Sequence, residues 1–273
     1  MTAAHDLDQL VEEFAGRAAV YSRRLDTADE ITVGDVDRRF PTGSAAKQLV
    51  LLAYAAAVTS GEVDPATRVE ITAGYRDARP GSGVLRHLAA GLTPTLHDCA
   101  TLMMIVSDNV ATDLVLDALG GPGPVNEAMV GLGVVDASVD SPTVWAIPPA
   151  QFGTATPRGL ASAWLPLAYG GALSDLCQTI TWRHQHREGF ARLVPFSPDL
   201  PDFGLTSPLR LWSKSGTYPT ISCEAGLFQT DDVAWILAVM ADEVADWGSG
   251  SAAAGPTLRA DVSRIVYDTW AHR

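Results

Sequence analysis

The spacing of apolar and polar residues predicts strands near the two ends of the chain and helices between them. The first helix is expected at about residues 5–16 and the last at about residues 257–271. A mostly helical stretch occupies residues 94–190, interrupted by a Pro- and Gly-rich segment at 141–157. The strands are expected at residues 18–25, 30–36, 210–215, 222–229 and 233–240.

This order of elements predicts an α+β fold, because the strands come from both ends and the helices from the middle. We expect an antiparallel five-stranded sheet flanked by terminal helices, together with an all-helical subdomain. Residues 1–45 and 200–273 are expected to form the sheet subdomain, and residues 46–199 the helical one. The two are expected to make one compact unit with the functional site between them.

Composition and charge favour a soluble protein that acts on a small molecule. The 273 residues are 47% apolar and carry a formal net charge of -13, which argues against a nucleic-acid partner. No apolar run reaches membrane-spanning length, so no membrane partner is expected. The acidic N-terminus lacks the features of a secretory signal, so we expect a cytoplasmic location unless a leader has been removed. Nothing in the sequence indicates an oligomeric state.

The cysteines and two closely spaced histidines do not predict a metal site. Cys99, Cys177 and Cys223 are an odd set without metal-type spacing, and we expect reduced thiols that fill the core. His184 and His186 have no carboxylate or cysteine at ligand spacing, and we expect them on opposite helix faces at the surface. The sequence therefore predicts no metal and no cofactor.

Residues 44–60 predict a helix whose first turn carries a serine and a lysine on one face. Ser44 and Lys47 are three residues apart, so their side chains point the same way. A hydroxyl needs a neighbouring base to become a nucleophile, and a lysine is such a base only when burial or nearby cations lower its pKa. For an isolated match, the alternative is an N-cap serine followed by an exposed lysine.

Two further polar motifs follow apolar segments. Residues 107–109, Ser-Asp-Asn, end an apolar helical stretch, and the alternative there is a helix junction in which Asp108 or Asn109 is the N-cap. Residues 214–217, Lys-Ser-Gly-Thr, end an apolar strand, where a glycine lets the backbone run close to a ligand. The alternative for that motif is an exposed lysine that protects a hairpin edge.

Together the three motifs resemble those of the class A β-lactamase family, within the wider β-lactamase and penicillin-binding-protein superfamily. Ser-x-x-Lys, Ser-Asp-Asn and Lys-Thr-Gly occur in this order, with Ser215 in the threonine position. The resemblance covers nearly the whole chain and extends to residues 40–44, 96–121, 156–158 and 224–226. It implies a β-lactamase/transpeptidase-like fold and a serine nucleophile that forms an acyl-enzyme.

The resemblance implies four catalytic residues. Ser44 attacks a carbonyl carbon and becomes acylated, and Lys47 takes or relays its proton. Ser107 passes a proton to the leaving nitrogen or oxygen. Lys214 holds Ser107 and a substrate anion electrostatically.

The resemblance also implies residues that bind the substrate. Asn109 hydrogen-bonds the acyl-side amide, while Ser215 and Thr217 donate hydroxyls to a substrate carboxylate next to Gly216. The backbone N–H groups of Ser44 and Thr217 form the oxyanion hole.

The resemblance breaks in the loop that should carry a deacylating glutamate. In the family, this glutamate activates the water that removes the acyl group, and an asparagine follows four residues later. Residues 136–154 contain neither, and only Asp136 and Asp140 offer shorter carboxylates. Three apolar side chains in this loop either form a pocket wall or pack the loop down: Trp145, Ile147 and Phe152.

Three functions remain open on the sequence. The first is a serine hydrolase of the class A β-lactamase type that acts on an amide, an ester or a β-lactam, with impaired deacylation by water. The second is an acyltransferase or esterase in small-molecule, natural-product biosynthesis that uses the same site. The third is a penicillin-binding sensor module, which would need an added signalling or membrane segment.

Overall fold

Ten helices and eight strands make up the described part of the chain, which in this computed structural model comprises residues 3–143, 151–246 and 248–271. The helices are α1 (Ala3–Glu12), α2 (Lys47–Ser60), α3 (Ala73–Asp77), α4 (Leu96–Ile105), α5 (Asn109–Ala118), α6 (Pro122–Gly131), α7 (Pro157–Ser162), α8 (Leu165–Ala168), α9 (Ala172–Thr181) and α10 (Ala254–Trp270). The strands are β1 (Arg17–Arg24), β2 (Glu30–Val33), β3 (Phe40–Pro41), β4 (Ala137–Val139), β5 (Gly153–Ala155), β6 (Arg210–Tyr218), β7 (Ile221–Gln229) and β8 (Ala234–Asp242).

The central sheet has five antiparallel strands in the order β2-β1-β8-β7-β6. All five lie close to the positions that the apolar runs predict, so the predicted α+β class and the five-stranded sheet are confirmed. The proposed limits of the two subdomains remain predictions. A second, three-stranded sheet with the order β3-β5-β4 was not predicted, since β3 has only two residues and the other two strands have three each.

The two faces of the central sheet cover two separate cores. Successive side chains of a strand point to opposite faces, and β8 shows this clearly. Trp235, Leu237 and Val239 pack in a core that includes Leu7 of α1 and Trp270 of α10. The alternate β8 residues belong to a larger core with the central helices: Ile236, Ala238 and Met240. The terminal helices therefore cover one face of the sheet, as predicted.

Helix α2 is enclosed by the larger core. Its side chains from Leu49 to Ala55 are buried all round, which is the pattern of a helix without a solvent face. A short 3-10 turn, Gly43–Ala46, leads into this helix. The first turn of the predicted helix 44–60 therefore has 3-10 geometry, and the α-helix itself begins at Lys47. All three cysteines are buried and free, as expected for thiols that fill the core. No helix in the described ranges is long and apolar enough to cross a membrane.

Strand β6 lies directly against the chain that enters α2, and a glycine makes this approach possible. A Cβ atom added at Gly216 would lie 2.1 Å from the carbonyl oxygen of Thr42 and 2.8 Å from the backbone nitrogen of Ser44. Both neighbours are backbone atoms, which cannot move aside as a flexible side chain would. The glycine in the motif at 214–217 therefore sets the distance between the sheet and the start of α2.

We expect Gly216→Ala to lower the free energy of unfolding by about 1–3 kcal/mol, the usual cost of overpacking a close contact. Chemical denaturation checks this change. The matched control is Gly123→Ala in α6, where a Cβ would meet no atom within 4 Å. The control should keep or slightly raise stability. Equal stability of the Gly216→Ala variant and the wild type would show that the strand is free to move away from the α2 entry.

Candidate active site

A cavity of about 600 Å³ opens where the start of α2, the start of α5 and the end of β6 meet. Four of the predicted catalytic and substrate-binding residues line it: Ser44, Lys47, Asn109 and Thr217. They come from three separate segments of the chain. The fold thus brings the three sequence motifs to one place.

Lys47 is the residue that joins two of these motifs. Its side chain is 0% exposed. The Nζ atom donates to the Ser107 carbonyl oxygen at 2.7 Å, lies 3.1 Å from Ser107 Oγ, and donates to Asn109 Oδ1 at 2.8 Å. Ser44 lies one turn earlier, in the 3-10 turn, and faces the same cavity. The alternative of an exposed lysine after an N-cap serine is therefore wrong.

Ser107 stands at a strained junction between α4 and α5. Its φ angle is +56°, in the left-handed region that is unfavourable for a residue with a side chain. The next residue, Asp108, is the N-cap of α5, since its Oδ1 accepts from Ala111 N at 3.0 Å. Its Oδ2 accepts from Val84 N at 2.6 Å and Leu85 N at 2.8 Å. The helix-junction alternative is thus correct for Asp108, while Ser107 and Asn109 contact the lysine.

The side-chain amide of Asn109 is fixed from both ends. Its Oδ1 accepts from Lys47 and its Nδ2 donates to the Pro80 carbonyl oxygen at 2.7 Å. Pro80, Gly81 and Ser82 line the cavity beside it. An amide nitrogen has two hydrogens, so Asn109 keeps one donor for a bound molecule.

Lys214 is buried behind the cavity. The residue is only 2% exposed, and its Nζ atom donates to the Ser215 carbonyl oxygen at 2.8 Å. Ser215 is also buried, and Thr217 is the residue of this motif that reaches the cavity wall. The edge-protecting lysine of the alternative interpretation is therefore wrong. Among the described residues, Lys214 makes no direct hydrogen bond to Ser107.

Burial is the main cause that lowers the pKa of both lysines, and a nearby cation adds to it in each case, Lys214 for Lys47 and Arg259 for Lys214. The pKa of Lys47 lies well below its ordinary value because its ammonium form is desolvated and Lys214 is near, although Asp108 and Asp113 act in the opposite direction. Burial also lowers the pKa of Lys214, to about 7, against the attraction of Glu224 and Glu188. The lowered pKa makes Lys47 better suited to act as a base than an exposed lysine would be.

A buried ion pair that the sequence analysis missed lies on the other side of β6. Glu224 of β7 is 1% exposed, and burial raises the pKa of its carboxyl group. Its oxygens accept from Ser213 Oγ at 2.9 Å, Phe190 N at 3.1 Å and Arg259 Nη1 at 3.3 Å. A glutamate inside a mostly apolar strand is rare, and this feature of the β7 sequence could have indicated the buried ion pair.

The two histidines are not where the sequence analysis placed them. Helix α9 ends at Thr181, so neither residue lies on a helix. His184 is 2% exposed, and its ring stacks on Phe196 with centroids 5.6 Å apart. The prediction of positions on opposite helix faces is therefore wrong for both histidines. The prediction of a surface position is wrong for His184, whereas the His186 side chain is 40% exposed. Among the described residues, no group of three or more His, Cys, Asp or Glu is arranged to hold a metal ion.

The loop that was expected to carry a deacylating base presents other side chains. Thr143, Gln151 and Phe152 line the cavity, whereas Asp136 and Asp140 are exposed and outside its wall. Asp140 instead accepts a hydrogen bond from Ser138 Oγ at 2.7 Å. Phe152 is buried as well as lining the cavity, so it forms part of a pocket wall. Trp145 and Ile147 lie outside the described residues.

A charged rim of the cavity also escaped the sequence analysis. Asp242, at the end of β8, accepts from Arg17 Nε at 3.2 Å and from Arg38 Nη2 at 2.7 Å. Arg17 also pairs with Glu243, and Arg17, Asp242 and Glu243 all line the cavity. No local sequence pattern predicts this rim, because Asp242 lies more than 200 residues from both arginines that it contacts.

The whole chain matches a known protein family. The family described as "Beta-lactamase enzyme family" matches residues 2–270. Two curated relatives are β-lactamase CARB-3 of Pseudomonas aeruginosa, 30% identical over 52% of this chain, and a β-lactamase of Streptomyces lavendulae, 31% identical over 62% of it. The matched segments cover 49% and 56% of those relatives, so the chain spans about half the length of the curated relatives it matches.

Solved structures with the same fold include β-lactamases and PBP-A. The β-lactamase of Sphaerobacter thermophilus superposes with a TM-score of 0.84 at 26% identity, covering 98% of this chain and 96% of that one. PBP-A superposes with a TM-score of 0.81 at 23% identity, covering 98% and 95%. The class A β-lactamase of Mycobacterium abscessus gives a TM-score of 0.81 at 18% identity, covering 98% and 99%.

The match along the chain and the shared fold agree with the three motifs that meet at the cavity, so the predicted resemblance is confirmed. The chain belongs to the β-lactamase enzyme family, a family of serine hydrolases.

Proposed function

We propose that this protein forms a covalent acyl-enzyme on Ser44 with an amide, ester or β-lactam substrate. The observation that carries the proposal is the pairing of a cavity-lining Ser44 with a fully buried Lys47 one turn later. A lysine with a lowered pKa supplies the base that a serine hydroxyl needs. The substrate is a small molecule that fits a cavity of about 600 Å³.

In the proposed acylation, neutral Lys47 takes the Ser44 proton as Oγ attacks the carbonyl carbon. The hydrogen-bond contact between Lys47 Nζ and Ser107 Oγ supports a relay of that proton to the leaving group. The backbone N–H groups of Ser44 and Thr217 belong to segments held together at Gly216 and form the proposed oxyanion hole. Such donors typically contribute about 3–4 kcal/mol each to the transition state.

The remaining site residues are proposed to hold the substrate. The free donor of Asn109 is suited to an acyl-side carbonyl oxygen. Thr217 is placed to donate its hydroxyl to a substrate carboxylate, with Ser215, Gly216 and the charge of buried Lys214 behind it.

We further propose that water removes the acyl group slowly. Among the described residues of the loop 136–154, those that face the cavity carry a hydroxyl, an amide and a phenyl ring, so none is a carboxylate base. The same observation favours a second candidate, an esterase or an acyltransferase that passes the acyl group to an alcohol or amine. In both cases the acyl-enzyme on Ser44 is the shared intermediate.

Acylation is tested with penicillin G, nitrocefin and an activated ester, each followed by intact mass and by turnover. We expect a mass adduct on Ser44 that Ser44→Ala abolishes. The control Ser60→Ala, at the exposed end of α2, should keep the adduct. A long-lived adduct without turnover indicates a trap, and amine-dependent decay indicates acyl transfer. Adduct formation in Ser44→Ala would exclude Ser44 as the nucleophile.

Thr143→Glu should speed the loss of the acyl group, because it places a carboxylate on the cavity wall that Ser44 and Lys47 share. General bases typically contribute about 10²–10⁴-fold, and we expect at least about tenfold from this unrefined position. Stopped-flow mass analysis of the adduct measures the decay. Thr143→Gln has the same shape without a base and should leave the decay unchanged. Equal acceleration by both variants would assign the effect to loop packing.

The charge of Lys214 should appear in the pH dependence of acylation. Because its pKa is lowered to about 7, Lys214 loses its charge as the pH rises through neutrality. The acylation rate constant for a carboxylate-bearing β-lactam should therefore fall above pH 7, whereas that for an uncharged ester should not. Lys214→Arg, which stays charged, should move the fall to higher pH. Identical pH profiles for the two substrates would show that the charge of Lys214 does not contribute to binding the substrate carboxylate.

A further inference from the structure

Two loops of the cavity wall meet at Asn109. In the first loop, the Pro80 carbonyl oxygen accepts from Asn109 Nδ2 at 2.7 Å, and the Ser82 carbonyl oxygen accepts from the Asn109 backbone nitrogen at 3.0 Å. In the second loop, the Thr143 hydroxyl donates to the Asn109 carbonyl oxygen at 3.2 Å. Pro80, Ser82 and Thr143 all line the cavity. The separation of the two loops therefore sets the room beside Asn109, where the acyl group is proposed to bind.

A buried carboxylate bonds to both loops. Asp113 lies on α5, four residues after Asn109, and its side chain is 1% exposed. Its Oδ1 atom accepts from the Thr143 backbone nitrogen at 2.8 Å. Its Oδ2 atom accepts from Arg79 Nε at 3.1 Å, and Arg79 directly precedes the cavity-lining Pro80. The two oxygens of Asp113 thus tie both loops to one helix.

The partner of this carboxylate, Arg79, is also held by an aromatic ring. Its guanidinium carbon lies 3.2 Å from the centroid of the Tyr75 ring, and its Nη1 atom donates to the Tyr75 carbonyl oxygen at 2.8 Å. The Arg79 side chain is 12% exposed. Moving Arg79 away would leave the Asp113 charge buried and uncompensated, which is costly. The ion pair therefore makes a fixed connection between the first loop and α5.

We propose that the ion pair of Arg79 and Asp113 fixes the width of the acyl-binding side of the cavity and so determines which acyl groups are accepted. Neither side chain is among the described residues that line the cavity, so both are positioning residues. Arg79 acts through Pro80, and Asp113 acts through Thr143. With the pair intact, the loops fit closely around a small acyl group. Without it, the loops separate, which weakens the binding of a small group and makes room for a bulky one. The inference rests on the proposed acyl-enzyme and concerns the substrate selectivity of the same site.

Asp113→Asn should change the selectivity for acyl groups more than the chemical step. An amide has one acceptor oxygen, so the variant accepts from Thr143 or from Arg79 but not from both, and the charge is lost. The probes are the p-nitrophenyl esters of acetic acid and phenylacetic acid, which share a leaving group. The dissociation constant of the acetyl ester should rise, while its acylation rate constant at saturation stays within about twofold. The ratio of phenylacetyl to acetyl acylation efficiency should increase at least about tenfold, the low end of what a fitted apolar pocket contributes.

Further variants separate the ion pair from a general loss of structure. Arg79→Met removes the other partner and should shift the ratio in the same direction, and it provides a second variant if Asp113→Asn does not fold. Arg79→Lys keeps the charge but not the planar group over Tyr75, so it should shift the ratio less than Arg79→Met. The matched control is Asp202→Asn, which breaks an exposed ion pair with Arg183 outside the cavity wall and should leave the ratio unchanged.

Single-turnover stopped-flow measurements over a range of ester concentrations give both constants for each variant. An equal loss of efficiency with the two esters, or an unchanged ratio in both Asp113→Asn and Arg79→Met, would overturn the proposal. A double variant whose shift equals the product of the two single shifts would also overturn it, because residues that act through one contact are not independent. Absence of acylation of wild-type Ser44 by either ester would instead overturn the proposed function, so the two failures are distinct.

Discussion

The enclosure of Lys47 is the constraint on which the site depends. A buried amine must have hydrogen-bond partners, because an unpaired polar group in the core is costly. The structure supplies them from Ser107 and Asn109, which lie 60 and 62 residues further along the chain. The junction of α4 and α5 is thereby fixed against the first turn of α2. The same enclosure lowers the pKa of the lysine, which is the property that its proposed role as a base requires.

The sheet supplies a second set of buried charges that must balance. Lys214 faces the larger core, while Arg259 is buried on the opposite side of β6, and repulsion from Arg259 raises the cost of the Lys214 charge. Glu224 is bonded on both oxygens and compensates these cations without reaching the cavity. A buried pair of this kind is weak evidence for added stability, but removing one partner leaves an uncompensated charge. The position of Lys214 therefore depends on a network outside the three motifs.

Local sequence patterns were sufficient to predict the strands of the central sheet and the helix that follows Ser44, but not the contacts between distant parts of the chain. Alternation along β8 and the apolar run of α2 place these elements, because burial follows a short period in the sequence. The order of the three motifs also predicts which residues meet. The inward turn after α9 was missed, since a polar segment with two histidines resembles a surface. The approach of Gly216 to Thr42 is likewise visible only once the strands are assembled.

In the proposed mechanism, acylation and water activation depend on different parts of the fold. Lys47 is tied to Ser107 and Asn109 by hydrogen bonds of its buried amine, and Ser44 lies on the wall of the same cavity. The loop that faces them contributes Thr143, whose backbone nitrogen donates to Asp113 Oδ1 at 2.8 Å and whose hydroxyl donates to the Asn109 carbonyl oxygen. Among the described residues, the hydrogen bonds of Lys47 involve no carboxylate of that loop. In the proposed mechanism, the residues that form the acyl-enzyme therefore do not depend on a carboxylate of this loop, so the fate of the acyl group can change while acylation is retained.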